Sequence, residues 1–147
     1  MTPLAPYQTY LAAEQNFQEQ RIEGASPLEL TCILYEGAIQ AVEQAQLFLK
    51  RGDILARGRS IARAQSIVLE LMESLDRKKG GDFADRLGLL YDYLLSKLNE
   101  AHSQQSLEAL QQVQKLLGDL FAAWSQIAER PDGMPRLSEE SSVDLAV

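Results

Sequence analysis

The 147-residue sequence predicts an all-α protein, an antiparallel up-down-up-down four-helix bundle with an N-terminal amphipathic arm or short extra helix. Three observations lead there. Cap and stop residues divide residues 25–129 into four segments, each segment repeats its apolar residues at helical spacing, and no strand-like alternation competes. Each helix is then about 20 to 24 residues, and the bundle about 30 to 36 Å long.

The first helix opens at Ser26-Pro27-Leu28-Glu29, with serine as N-cap, proline at the first helical position and Glu29 completing a capping box. Leu30, Leu34, Ala38, Ala41, Ala45 and Phe48 line one face until Lys50-Arg51-Gly52 ends it. Asp53 caps the second helix, whose stripe is Ile54, Ile61, Ala64, Val68, Leu71, Met72 and Leu75, interrupted by the poor helix former Gly58. In Asp76-Arg77-Lys78-Lys79-Gly80-Gly81-Asp82 the bases suit the exposed carbonyls of an outgoing helix, and either glycine can close it. The reversal is therefore expected at Gly80-Gly81, with Asp82 as the next N-cap and Asp85 in the first turn.

The third helix carries Leu87, Leu90, Tyr91, Leu94, Leu95 and Leu98 inward and ends near His102. Ser103-Gln104-Gln105-Ser106 connects to a fourth helix capped by Ser106, with Leu110, Val113, Leu117, Leu120, Phe121, Trp124 and Ile127 inward. The ends differ in kind. Residues 1–24 are polar yet keep Tyr7, Tyr10, Leu11 and Phe17 near one helical face, and residues 130–147 form an acidic, serine-rich tail expected to be mobile.

Composition narrows the function. A net charge of -7 argues against nucleic acid as partner. One cysteine, Cys32, allows no internal disulfide and no cysteine pair for zinc. The N-terminus lacks a secretory pattern and no apolar run is long enough to span a bilayer, so a cytoplasmic protein without membrane insertion is expected. Catalysis finds little support. The single histidine, His102, has Glu100 two residues before it, which fails the Glu-x-x-His count of a di-metal bundle, and its place at a helix end disfavours phosphotransfer. No metal and no cofactor are expected, and the protein reads as a non-enzyme.

What exceeds the needs of a core is apolar surface. On a helical wheel Leu89 and Tyr93 fall opposite the main face of the third helix, and Cys32, Tyr35 and Ile39 fall away from the stripe through Leu34, Ala41 and Phe48. Such side chains left in water forgo about 1.5 to 3 kcal/mol each, so an added amphipathic segment is expected to cover them. These five residues are the groove candidates. A generic helical adaptor binding some amphipathic helix would use the same surface.

Further residues carry a family resemblance. Pro6-Tyr7 with Tyr10; Ala25-Ser26-Pro27 with Glu29-Leu30; Leu34-Tyr35-Glu36-Gly37-Ala38-Ile39 with Gln44-Ala45; Glu70-Leu71-Met72 with Ser74-Leu75-Asp76; Lys79-Gly80-Gly81; and Leu90-Tyr91-Asp92-Tyr93 with Leu98 and Ala101 recur in this order. Together, from about Pro6 to Trp124, they resemble the bacterial flagellar export chaperone family FliS. Departures are Glu36, where the family usually has aspartate, Cys32 and Ile33, and Arg86 and His102, where it has asparagine. The resemblance implies a chaperone of the bacterial cytosol that binds the disordered C-terminal segment of flagellin in apolar grooves. It also implies delivery to the cytoplasmic domain of the flagellar type III export gate. By the same resemblance, the arm with Tyr7, Tyr10 and Leu11 covers part of the groove and helps dock the complex at the gate.

Overall fold

A computed structural model describes residues 22–128. The N-terminal arm through residue 21, with Tyr7, Tyr10 and Leu11, and the tail from residue 129 lie outside the described residues. Four helices make up the described chain, α1 (Pro27–Arg51), α2 (Ile54–Glu73), α3 (Arg77–Ser103) and α4 (Leu107–Ala128), with no strand among those residues. Each helix packs against two neighbours: α1 against α2 and α4, and α3 against α2 and α4. The short connections make consecutive helices antiparallel, so α1 and α3 face each other only across the diagonal of the bundle.

The caps at the first hairpin follow the sequence closely. Ser26 Oγ accepts from the Glu29 backbone N–H at 3.2 Å with Pro27 beside it in the first turn. Gly52 closes α1 at φ 74°, where its N–H donates to the Leu49 carbonyl at 3.2 Å and the Asp53 N–H donates to the Phe48 carbonyl at 3.0 Å, a complete Schellman motif. Asp53 Oδ1 then accepts from the Ala56 N–H at 3.1 Å. A two-residue connection suffices because one glycine ends one helix and one aspartate starts the next. At the third connection Ser106 Oγ accepts from the Ala109 N–H at 3.1 Å, as its N-cap position predicts.

The second connection departs from expectation. The reversal is not at Gly80-Gly81: α2 ends at Glu73, Ser74 is its C-cap, and Asp76 rather than Asp82 caps α3, accepting from the N–H groups of Lys78 and Lys79 at 3.2 and 3.1 Å. Both aspartates are chemically able to cap. Asp76 follows the last core residue of α2, Leu71, by little more than a turn, so the chain reverses as soon as the stripe is exhausted. Lys78 and Lys79 consequently enter the first turn of α3, against the helix dipole. The two glycines serve a kink instead. Gly81 stands at φ 52°, ψ -131°, outside helical geometry, and joins the short first turn to the long body of α3. At Gly80 a Cβ would lie 2.7 Å from Ala84 Cβ, so only glycine lets the first turn fold back this closely.

The core runs the length of the bundle through Ala38, Val42, Ala45, Ile61, Ala64, Val68, Leu71, Leu87, Tyr91, Leu94, Leu98, Leu110, Val113, Leu117 and Leu120. Side-chain hydrogen bonds mark its rims: Gln46 donates to Gln114 at 2.7 Å between α1 and α4, and Gln65 donates to Asn99 at 2.8 Å between α2 and α3. Ile54, assigned by periodicity to the α2 stripe, stands in the first turn of its helix beyond the packed layers and is 62% exposed.

Candidate partner-binding surface

The surface is best built from the two helices whose apolar residues exceed one stripe. In α1 the centre of the buried face is Ala38, Val42 and Ala45, all small, which lets α2 and α4 approach from either side. Leu34 and Phe48 form only one flank of that face and are half-buried, and Tyr35 lies on the other flank, fully buried. Tyr35 is thus a core residue and not part of an open groove. The wheel misplaced it because the stripe used as reference was an edge of the buried face, not its middle.

Tyr35 reaches across the diagonal to α3, where its hydroxyl and that of Tyr91 are 2.5 Å apart and the rings tilt at 46° with centroids 6.5 Å apart. Either hydroxyl can be the donor. Burial raises the Tyr35 phenol well above the ordinary tyrosine value, and the neighbouring Tyr91 raises it further. Tyr91 is pushed up to about 12, again mainly by burial, with the shared hydrogen bond pulling the other way. The Trp124 Nε1–H of α4 lies close enough to the Tyr35 oxygen to lower its pKa, yet it is buried and completes no hydrogen bond of good geometry. Phe83 packs edge-on against the Trp124 ring at 6.3 Å. These groups carry no nucleophile and no general base; they join α1, α3 and α4 at one end of the core.

Above them, between α1 and α4, an open cleft of about 320 Å³ is lined by Glu29, Cys32, Ile33, Glu36, Phe121, Ser125 and Ala128. Cys32 is half-buried in its wall. Ile39, one turn beyond Glu36, is half-buried and packs on the core cluster. Phe121, which the period of α4 turns inward, packs against the core and remains half-buried where it lines this cleft.

Leu89 and Tyr93 stand on the outer face of α3, 68% and 43% exposed. The Lys97 ammonium lies 5.8 Å from the centroid of the Tyr93 ring and pairs with Glu100 at 3.0 Å, so the aromatic face has a cation at its edge. The five predicted groove residues therefore do not form one surface. Cys32 and Ile39 belong to α1, Leu89 and Tyr93 to the diagonally opposed α3, and Tyr35 to the interior between them. Sequence reasoning missed Leu69, which is 46% exposed on α2, although the same wheel places it off the stripe of Ile61, Ala64 and Val68.

Among the described residues no group of three or more His, Cys, Asp or Glu is placed to hold a metal ion, and His102 is exposed with its ring against Gly58. No helix among them is long and apolar enough to cross a membrane.

Known proteins place this architecture. The family model described as flagellar protein FliS matches residues 9–131. The chain belongs to the FliS family. Related proteins include the flagellar secretion chaperone FliS of Salmonella typhimurium, 36% identical over 113 residues that cover 76% of this chain and 84% of that protein. The flagellar secretion chaperone FliSB of Pseudomonas aeruginosa is 31% identical over 110 residues, covering 75% of this chain and 87% of its own. FliS of Bacillus subtilis is 28% identical over 118 residues, covering 79% and 87%. These relatives carry the name of chaperones, a role without catalysis, and the match spans the whole described bundle.

Proposed function

We propose that this protein is a cytoplasmic export chaperone that binds the C-terminal segment of flagellin, prevents its premature polymerisation and delivers it to the flagellar export gate. The observation that carries the reading is the outer face of α3, where Leu89 and Tyr93 stand in solvent on a helix whose inner face is already packed by Leu87, Tyr91, Leu94 and Leu98. A second apolar side on a packed helix serves a partner. The α1–α4 cleft with Cys32, Ile33 and Phe121 offers a second anchoring point, and Ile39 continues it along α1. A cargo segment long enough to touch both has to pass around the bundle, which favours an extended, partly helical chain over a single docked helix.

Such binding is coupled folding. Burial of each large side chain supplies about 1.5 to 3 kcal/mol, and ordering the cargo chain opposes it. The balance leaves an affinity low enough for release. The arm with Tyr7, Tyr10 and Leu11 is proposed to cover part of this surface in the free protein and to meet the gate when cargo has displaced it. Purified flagellin seeded to polymerise tests the reading: an equimolar amount of this protein is expected to stop growth. Flagellin lacking its C-terminal segment should no longer associate with it, and undiminished association would contradict the proposal.

A further inference from the structure

The corner formed by the end of α1 and the start of α2 is unlike the rest of this acidic molecule. Residues 50–63 hold five of the chain's 14 Lys and Arg residues, namely Lys50, Arg51, Arg57, Arg59 and Arg63, against one acid, Asp53. Asp53 is already engaged as the cap of α2. Arg57 is buried, whereas Lys50, Arg51, Arg59 and Arg63 are exposed, and none of these four enters an ion pair with another described residue. Between them stand three bare aliphatic side chains, Leu47, Ile54 and Leu55, at 52%, 62% and 65% exposure. Around Gly52 the tip is open, with nothing within 4 Å of where a Cβ would be. Bases interleaved with aliphatics on a convex tip fit a segment that is both acidic and aliphatic.

One such segment is in the chain itself. Residues 137–147 contain Glu139, Glu140 and Asp144, no base, and Leu137, Val143, Leu145 and Val147. They lie beyond the family match, which ends at residue 131. We propose that the α1–α2 corner is an interaction surface whose occupant is this acidic segment, residues 137–147. Reach allows it. Ala128 and Glu29 line the same cleft, so the end of α4 is level with the first turn of α1. From Glu29 to Arg51 the helix rises about 33 Å, and the eleven residues from Ala128 to Glu139 extend to about 36 Å. Tethering holds the segment at an effective concentration on the order of millimolar, which an equally acidic segment on another protein does not match in dilute solution.

A zero-length carbodiimide coupling of the full chain reads the contact directly, because it joins a lysine amine only to a carboxylate it touches. At about 0.01 M salt the expected product links Lys50 to Glu139, Glu140 or Asp144 within one chain. It should fall at least about fivefold at about 0.5 M salt, and by a similar factor in Arg51→Glu combined with Arg59→Glu. Both positions are exposed, so helicity by circular dichroism should be unchanged in that variant. Coupling of the tail to Lys78, Lys79, Lys97 or Lys115 as often as to Lys50 would overturn the proposal. So would coupling to Lys50 that the double variant leaves unchanged, or coupling found only between chains.

Discussion

Replacing Tyr35 by phenylalanine removes one oxygen and leaves the ring, which isolates the bond across the bundle diagonal. Its partner, Tyr91, is 1% exposed and its hydroxyl lies 2.5 Å from that of Tyr35. No water is free to take the place of the lost partner without entering the core, so Tyr35→Phe costs the bond and strands the Tyr91 hydroxyl, about 1 to 3 kcal/mol together. At about 4 °C per kcal/mol, thermal unfolding should shift down by roughly 4 to 12 °C. Removing both hydroxyls, in Tyr35→Phe with Tyr91→Phe, strands neither oxygen and should cost clearly less than the sum of the single changes, with a coupling of about 1 kcal/mol. Circular dichroism gives the unfolding curve. Fluorescence of Trp124, the single tryptophan of the chain, gives a second one from beside the pair. A fully additive cycle, or a Tyr35→Phe protein as stable as its parent, would refute this account of how α1 and α3 are joined.

Four further outcomes follow from the same structure. Because both buried phenols ionise above the unfolded value of 10, Tyr91 near 12, stability should hold below pH 10 and fall between pH 10 and 12, by up to about 1.4 kcal/mol per pH unit for each tyrosine; urea midpoints at pH 9, 10 and 11 should show the fall, and the double phenylalanine variant should flatten it. Gly81→Ala meets no neighbour within 4 Å but must hold φ 52°, ψ -131°, a cost of about 1 to 3 kcal/mol, whereas Gly80→Ala meets Ala84 and should be rescued by Ala84→Gly, as chemical denaturation would record. Leu89→Asp, at an exposed position, should leave the melting temperature unchanged while weakening flagellin-segment binding about 10- to 150-fold by calorimetry. Tyr7→Ala with Tyr10→Ala should retain cargo binding and lose flagellin export in a motility and secretion assay; loss of cargo binding would contradict a docking role for the arm.

The fold was legible where a local chemical signal and the apolar period agreed. Ser26-Pro27, Gly52-Asp53 and Ser106 each offer one way to end or begin a helix, and the chain uses it. At Asp76 to Asp82 two caps compete, and the choice depends on where the α2 stripe stops touching α3, a tertiary fact that no local pattern encodes. The outer face of α3 was readable for a simple reason: its inner face is a clean stripe, so Leu89 and Tyr93 had nowhere else to go. Tyr35 was not readable. On a helix flanked by two neighbours the buried arc is wide, and a wheel centred on one edge of it exposes residues that the second neighbour covers. Phe121 has two roles that one stripe does not separate, since it packs against the core and also lines the cleft between α1 and α4.

Calorimetric titration of the isolated flagellin C-terminal segment into this protein tests the central claim most directly. The account predicts saturable one-to-one binding with a negative heat-capacity change, the mark of apolar burial, and a large loss of affinity when Leu89 and Tyr93 are both made aspartate. No saturable binding, or binding that the two aspartates leave intact in a folded protein, would contradict it.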